Sequence, residues 1–245
     1  MTLQLQNPHS VLAALERRPG DVVDIAVPTG KPHGAWGDVV EAASRHRIPV
    51  RRRDAQRGRE GGRRHSQTER SSAAVASVKP FGGVGLAGVL PKQPPERGLW
   101  LALDRLTDPH NVGAIFRSAA FFGVQGVILS RDRSAPLNAT VFDIACGGLE
   151  HVPFTVESNL ARALDQAKEA GLWILGTSEH APQDVSEVDR ERPWLMVVGN
   201  EEKGLRRLTL EKCDELCRLT PQGRVTSLNV SVATGVLIAA LAARQ

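Results

Sequence analysis

The 245-residue chain contains no tyrosine, only three cysteines and two methionines, and 4% aromatic residues. Three cysteines are too few for a disulfide framework, so we expect a reducing, intracellular setting. Cys213 and Cys217 stand close enough to share a helix face, but no histidine lies near them, so a zinc site is not indicated. We therefore predict no bound metal.

Long hydrophobic runs are also missing. The longest apolar segment, 230–242, is shorter than the roughly 20 residues of a membrane span, and it contains Ser231 and Thr234. Residues 1–7 are polar, unlike a signal peptide. We expect a cytoplasmic protein without a membrane segment. The chain also lacks a Walker A loop and a nucleophile elbow, so neither ATP hydrolysis nor acyl transfer is predicted.

Positive charge is concentrated at the N-terminal end. The net charge of the chain is +4, yet residues 1–79 alone carry 14 Lys/Arg against 8 Asp/Glu. This asymmetry favours a polyanionic partner for the first part. Residues 51–70 contain eight arginines and no large apolar side chain, so we expect an exposed loop or a mobile segment. Arginine favours phosphate contact, although a solvated surface explains a charge run equally simply.

The stretch 99–129 predicts the fold class. An apolar strand over 99–103 leads into a polar loop and then a helix, with Asp108 as N-cap, Pro109 at the first position and Gly123 as the stop. A second apolar strand follows over 124–129. Strand, helix and strand in about thirty residues indicate a βαβ unit, and hence an α/β fold with a parallel sheet.

The remaining elements suggest two units joined by a linker rich in glycine and proline. In the first unit we predict helices at 9–18 and 36–46, and strands at 22–27, 48–50 and 72–78. In the second we predict helices at 138–146, 159–170 and 228–242, strands at 172–175, 194–198 and 216–219, and a loop at 179–192.

Three loops at strand ends are candidates for a site: 104–117, 199–205 and 219–229. In open α/β sheets ligands bind in the crevice beyond the strand ends. Gly199 and Gly223 let main-chain groups approach a ligand, which suits an adenine ring and a ribose. For Asn111 and Arg117, a helix-capping asparagine and a surface arginine are an equally good interpretation.

These loops carry a family resemblance. DPHNVGAIFRSA at 108–119, VGNEEKGL at 198–205 and SLNVSVA at 227–233 resemble, in order and spacing, the three motifs of the SpoU (TrmH-type) class of SPOUT RNA 2′-O-methyltransferases. The resemblance covers residues 98–245. Segment 132–147 is similar to the bacterial members that methylate a guanosine ribose of 23S rRNA. Leu219-Thr220-Pro221 departs from the family pattern, which places the proline one position earlier.

The resemblance implies an architecture. Residues 98–245 would form a SPOUT domain with a deep trefoil knot. Residues 1–79 would form a small RNA substrate-binding domain of the ribosomal-protein L30e type, and 80–97 would link the two. It further implies a homodimer with the sites near its interface.

It also implies the reaction, transfer of a methyl group from S-adenosylmethionine to a ribose 2′-oxygen of RNA. By position, Arg117 is the catalytic arginine, and Asn111, Glu201 and Asn229 would position it and the ribose, with Glu201 paired to its guanidinium. Ser227 would cap the closing helix and touch the substrate. The residues implied to hold the methyl donor are Gly199, Leu219, Leu228, Thr177 and Gly223.

Two alternatives stay open at this point. A tRNA ribose methyltransferase shares the motifs, although tRNA members usually carry terminal helical extensions rather than an α/β domain. A non-catalytic RNA-binding or ribosome-assembly factor would keep the same fold.

Overall fold

The N-terminal part is built around a small sheet. The computed structural model describes residues 2–30, 32, 34–53, 74–93 and 95–242. In the part described, four strands pair in the order β1-β4-β2-β3, with β2 and β3 parallel and the other pairs antiparallel. They are β1 (Leu3–Leu5), β2 (Val22–Pro28), β3 (Val50–Arg53) and β4 (Val75–Val78). Helices α1 (Pro8–Arg17) and α2 (Ala35–Arg45) pack against each other.

The two helices and strand β2 confirm the elements predicted here to within two residues. Strand β3 begins at Val50, where the prediction of a strand at 48–50 ends. The three-residue strand β1 was not predicted, because so short a segment has no readable periodicity. Of the arginine-rich segment, Arg51–Arg53 are exposed on β3, and residues 54–70 lie outside the described residues.

The C-terminal part contains a seven-stranded sheet in the order β7-β6-β5-β10-β8-β11-β9, in which every pair is parallel. This confirms the α/β class. The strands are β5 (Gly98–Leu103), β6 (Val127–Ser130), β7 (Phe154–Glu157), β8 (Trp173–Thr177), β9 (Gln183–Asp184), β10 (Pro193–Val198) and β11 (Glu215–Arg218). Strands β7 and β9 were missed from the sequence.

Helices cover both faces of this sheet. They are α3 (Leu86–Val89), α4 (Pro109–Phe122), α5 (Ala139–Ala145), α6 (Gly148–His151), α7 (Leu160–Glu169), α8 (Arg207–Leu210) and α9 (Val230–Ala242). A central parallel strand must be apolar on both sides, and all six residues of β10 are buried. None of the helices described combines the length and apolarity needed to cross a bilayer.

Helix α4 begins and ends where the sequence predicts. The Asp108 carboxylate accepts the backbone N–H of His110 at 2.8 Å, and Pro109 occupies the first turn. Gly123 ends the helix with φ +73°, a left-handed conformation that favours glycine. The start of α4 is therefore fixed directly after β5, so its first residues lie at the carboxyl edge of the sheet.

The segment between the two units packs against the second one. The backbone N–H of Val84 donates to the carbonyl of Phe154 at 2.8 Å, and Phe81 meets the Phe154 ring edge-on. Trp100 Nε1 donates to the carbonyl of Val89 at the end of α3, a single helical turn that the sequence did not indicate. The segment is thus tied to the sheet at several points.

The two units contact each other through α1, α5 and α6, and one continuous cluster of buried apolar side chains spans both. Arg18 forms a bidentate pair with Glu150, whose side chain is 2% exposed, with N–O distances of 2.8 and 2.9 Å. The Asp143 carboxylate accepts the N–H groups of Gln6 and Asn7. Burial raises the pKa of Asp143, which those two N–H groups oppose. These contacts fix the N-terminal unit on the C-terminal one.

Candidate functional site

A cavity of about 1150 Å³ lies beyond the carboxyl ends of β8, β10 and β11. Its wall includes Thr177 at the end of β8, Gly199 after β10, Leu219 after β11 and Leu228 before α9. The structure therefore brings four of the five residues expected to hold the methyl donor to one cavity. Gly223, the fifth, is exposed to solvent and is not among the residues that line this cavity.

Glycine at position 199 is required by close packing. The loop 199–205 folds back on itself through two backbone hydrogen bonds between Asn200 and Gly204, of 3.1 and 2.9 Å. A Cβ atom at Gly199 would lie 2.4 Å from the carbonyl carbon of Gly204, which no side chain permits. The loop thus presents main chain, rather than side chain, to the cavity at this point.

The opposite wall is held by Asp184. Its carboxylate accepts the backbone N–H of Thr220 at 3.0 Å and both the N–H and the hydroxyl of Ser186. These bonds, with the Ser186 N–H first among them, lower the pKa of Asp184 well below its usual range. Asp184 was not predictable as a site residue, because a single acid in a polar stretch carries no distinguishing signal.

Three polar side chains from the three motifs form a chain of hydrogen bonds beside the cavity. The Asn229 amide donates to the Asn111 side-chain oxygen at 3.0 Å, and the Asn111 amide donates to Glu201 at 3.1 Å. The Asn200 amide donates to the second oxygen of Glu201 and to the carbonyl of Arg105. Both carboxylate oxygens are satisfied, so the set is held in one arrangement.

The structure corrects two details of the expected site. Glu201 was expected to orient the Arg117 guanidinium, but its two oxygens bind Asn111 and Asn200 instead. Ser227 was expected to cap the closing helix, but the Asn229 side chain accepts the N–H groups of Ser231 and Val232 and is the cap. Ser227 is exposed and lines the cavity.

Arg117 lies apart from this cavity. It is exposed on α4 and makes no hydrogen bond or ion pair with any residue in the described ranges, and it is not part of the cavity lining. Its guanidinium is therefore free to meet a partner from outside the chain.

The base of the loop that follows Gly199 is fixed by a buried acid. Asp104, 1% exposed at the end of β5, accepts Arg206 Nε at 2.7 Å and the Thr209 hydroxyl at 2.7 Å. A buried carboxylate is tolerated only when it is paired and hydrogen-bonded, as it is here. The pair joins β5 to the segment after 205, so the cavity and the start of α4 keep a fixed separation.

Comparison with known proteins places the chain in a class of RNA-modifying enzymes. The model of the SpoU rRNA Methylase family matches residues 98–239, which is more than half of the chain, and the chain belongs to this family. It is 41% identical over 232 residues to the 23S rRNA (guanosine-2′-O-)-methyltransferase RlmB of Pseudomonas aeruginosa, covering 94% of this chain and 92% of that relative.

Two further comparisons agree with this placement. The protein of the same name from Neisseria meningitidis serogroup B is 39% identical over 233 residues, which cover 94% of this chain and 90% of that relative. The crystal structure of the SpoU methyltransferase AviRb from Streptomyces viridochromogenes in complex with the cofactor AdoMet has a TM-score of 0.79 at 21% identity. The match covers 98% of this chain and 89% of AviRb, and at that identity it shows the shared fold alone.

Proposed function

We propose that the chain transfers a methyl group from S-adenosylmethionine to the 2′-hydroxyl of a guanosine in 23S rRNA. The observation that carries the proposal is the hydrogen-bond chain Asn229–Asn111–Glu201, which joins all three family motifs beside one cavity. The relatives named for this reaction match almost the whole chain, including the N-terminal unit, which favours rRNA over tRNA as substrate.

The residues present fit the methyl donor. The cavity has the size of a pocket for a cofactor-sized ligand, and its wall offers main-chain groups at Gly199, Leu219 and Leu228 together with the Thr177 hydroxyl. Such groups recognise an adenine ring and a ribose by hydrogen bonds. When bound, S-adenosylmethionine supplies an electrophilic methyl group to an oxygen nucleophile in line with its sulfonium.

The side chains of the site orient the acceptor ribose. Asn111, Asn229 and Glu201 hold one another in place, so their remaining donor and acceptor positions face the substrate in a fixed arrangement. Arg117 is a poor candidate for the base, because a guanidinium offers N–H donors and no acceptor. It binds the phosphate or ribose and stabilises the alkoxide charge that develops on the 2′-oxygen, a role worth roughly 10²–10³ in rate. Ser227 lines the cavity and touches the substrate.

The chain divides functionally into residues 1–79, which bind RNA, a connecting segment 80–97, and a SPOUT methyltransferase domain 98–245. An L30e-like assignment of the first unit is supported by its small mixed sheet and two helices. Exposed Arg51, Arg52 and Arg53 on β3 supply phosphate-binding charge.

A trefoil knot in the second unit is supported by its strand order. Strand β10 lies between β5 and β8, and after β11 the chain returns so that α9 packs on α4 and β5. The cavity then lies within the knotted segment, between the loops 199–205 and 219–228. Mechanical unfolding by pulling at the two ends tests this, because a knot shortens the final extended length.

The active form is a homodimer. Phe121 is 82% exposed on α4, and Val232 and Val236 on α9 are about half exposed, although α4 and α9 pack together. An apolar surface of this kind is typical of an interface. Because Arg117 lies on the same helix, dimerisation through this face would bring it toward the cavity of the partner protomer.

An rRNA-modifying enzyme of this kind acts in the cytoplasm and is not bound to a membrane.

Two experiments test the proposed function. The first measures binding of radiolabelled S-adenosylmethionine to the chain, and the second maps 2′-O-methyl groups in the rRNA and tRNA of a deletion strain. We expect binding and the loss of one 2′-O-methylguanosine from 23S rRNA. Absence of binding would favour a non-catalytic RNA-binding factor, and loss of a methyl group from tRNA would favour the tRNA enzyme.

A further inference from the structure

The backbone of Arg105 contacts the hydrogen-bond network of the site, but its side chain makes no hydrogen bond to that network. Arg105 follows Asp104 at the carboxyl end of β5, in the loop that leads to α4 and Asn111, and its backbone carbonyl accepts the Asn200 amide at 2.9 Å. We propose that Arg105 is a further substrate-positioning residue, whose guanidinium binds a phosphate of the RNA strand next to the target nucleotide. The inference rests on the proposed RNA methyl transfer.

The backbone of Arg105 is held in a conformation that disfavours arginine. Its φ is +63°, in the left-handed region, which is unfavourable for a residue that carries a Cβ atom. The conformation is fixed from both sides, because the N–H donates to the Ser130 hydroxyl at 2.8 Å and the carbonyl accepts from Asn200. Glycine would occupy this position without strain, so the turn itself does not require the arginine side chain.

Within the described part of the chain, no residue forms a hydrogen bond or ion pair with the Arg105 side chain. Among the residues described, Arg105 Nε is the buried side-chain nitrogen or oxygen that lacks a hydrogen-bond partner. No carboxylate in the described ranges lies within ion-pair distance of the guanidinium. Asp104, the neighbouring residue in the chain, already accepts hydrogen bonds from Arg206 and Thr209. Glu201, the acid of the network, already accepts hydrogen bonds from Asn111 and Asn200.

These observations specify the missing partner. A buried donor without a partner destabilises the protein, and a charged acceptor that binds to it offsets that cost. The planar fork of a guanidinium matches the two oxygens of a phosphate, and RNA brings phosphates to the carboxyl edge of the sheet. Because Asn200 binds both Glu201 and the Arg105 carbonyl, the phosphate site and the ribose-orienting network are fixed relative to each other.

The test compares Arg105→Gly and Arg105→Asn with the wild-type chain. Both replacements accept a left-handed backbone and remove the charge. The substrate is in-vitro transcribed, unmodified 23S rRNA. We expect the KM for RNA to rise about tenfold, from the loss of one charged hydrogen bond, while the Kd for S-adenosylmethionine changes less than twofold. The slope of log Kd for RNA against log salt concentration falls by about 0.7, because one phosphate contact is lost. The melting temperature of Arg105→Gly stays the same or rises, since strain is removed.

Arg133→Gly is the matched control, because Arg133 is an exposed arginine with φ +54°. It should leave the KM and the salt slope unchanged within twofold. The inference is overturned if Arg105→Gly keeps the wild-type KM and salt slope, if it only lowers the melting temperature, or if Arg133→Gly has an equal effect. Should the wild-type chain transfer no methyl group to RNA, the proposed function fails, and an unchanged salt slope still overturns the role of Arg105 separately.

Discussion

The side-chain amide of Asn229 donates a 3.0 Å hydrogen bond to the side-chain oxygen of Asn111, 118 positions away in the sequence. Asn229 also caps α9 through the N–H of Ser231, and Asn111 lies in the first turn of α4. This hydrogen bond between two side-chain amides therefore sets the relative position of α4 and α9. The bond from Asn111 to Glu201 fixes the position of the Glu201 carboxylate as well. The polar chain couples the fold of the C-terminal unit to the arrangement of its site.

Replacement of Asn111 by alanine should lower kcat much more than it weakens cofactor binding. Asn111 is 7% exposed, and its loss leaves Asn229 and Glu201 each without one partner. We expect kcat to fall about 10²-fold, with the Kd for S-adenosylmethionine within a few-fold of wild type. Steady-state kinetics and calorimetry measure the two quantities.

Asn159→Ala is the control for the loss of a hydrogen-bonded asparagine side chain, because Asn159 caps α7 away from the cavity. It should cost about 1 kcal/mol of stability and leave kcat unchanged. Equal loss of kcat in both variants would show that the effect of Asn111 is one of general stability.

The Arg18–Glu150 pair should hold the two units together. Arg18→Ala leaves the buried Glu150 carboxylate without its bidentate partner, and we expect a loss of about 3 kcal/mol in the free energy of unfolding. Arg97→Ala breaks an exposed pair with Glu191 and should cost less than about 1 kcal/mol. Urea titration distinguishes them, and similar losses in the two variants would contradict the role given to Arg18.

Asp184 should make the cavity wall sensitive to acid. Hydrogen bonds from Ser186 and Thr220 lower its pKa in the folded protein. The stabilisation is therefore fully present above the ordinary carboxyl pKa of about 4, and it is lost as the pH falls through the folded-state value. Asp184→Asn should be less stable than wild type at pH 7, and the difference should shrink as the pH falls below about 4. A difference in unfolding free energy that is constant with pH would contradict this assignment.

The α/β class and helix α4 were predictable because their signals are local. The run of apolar residues in 99–103 marks a strand buried on both faces, and Asp108, Pro109 and Gly123 mark the ends of α4. Strands β1, β7 and β9 were not predictable, since two to four residues contain too little pattern and their pairing depends on distant partners.

The sequence indicated which residues belong to the candidate site better than it indicated the contacts between them. The motif positions identified Asn111, Glu201 and Asn229, which the structure joins. Within one chain the partners of Glu201 are two asparagines rather than the expected Arg117, because the fold brings Asn111 and Asn200 within reach. Asp104 was missed, since its importance comes from burial, which the sequence around it does not reveal.

In the proposed homodimer, Arg117 should act in the site of the partner protomer. We expect Arg117→Ala and Gly199→Val to be inactive as separate homodimers, the second because its side chain cannot fit against Gly204. When the two are unfolded and refolded together, mixed dimers contain one site with an intact cavity and an intact arginine. About a quarter of the wild-type activity should return, since half of the dimers are mixed and each has one working site. No recovery of activity would place Arg117 in the site of its own protomer.

The proposed reaction is tested most directly by incubating the full chain with methyl-labelled S-adenosylmethionine and unmodified 23S rRNA transcript, and then mapping the label by nuclease digestion and mass spectrometry. We expect one labelled guanosine with the methyl group on its ribose 2′-oxygen, and transfer slowed roughly 10²–10³-fold with Arg117→Ala. Label on a base, label on tRNA alone, or cofactor binding without any transfer to RNA would contradict the proposed reaction.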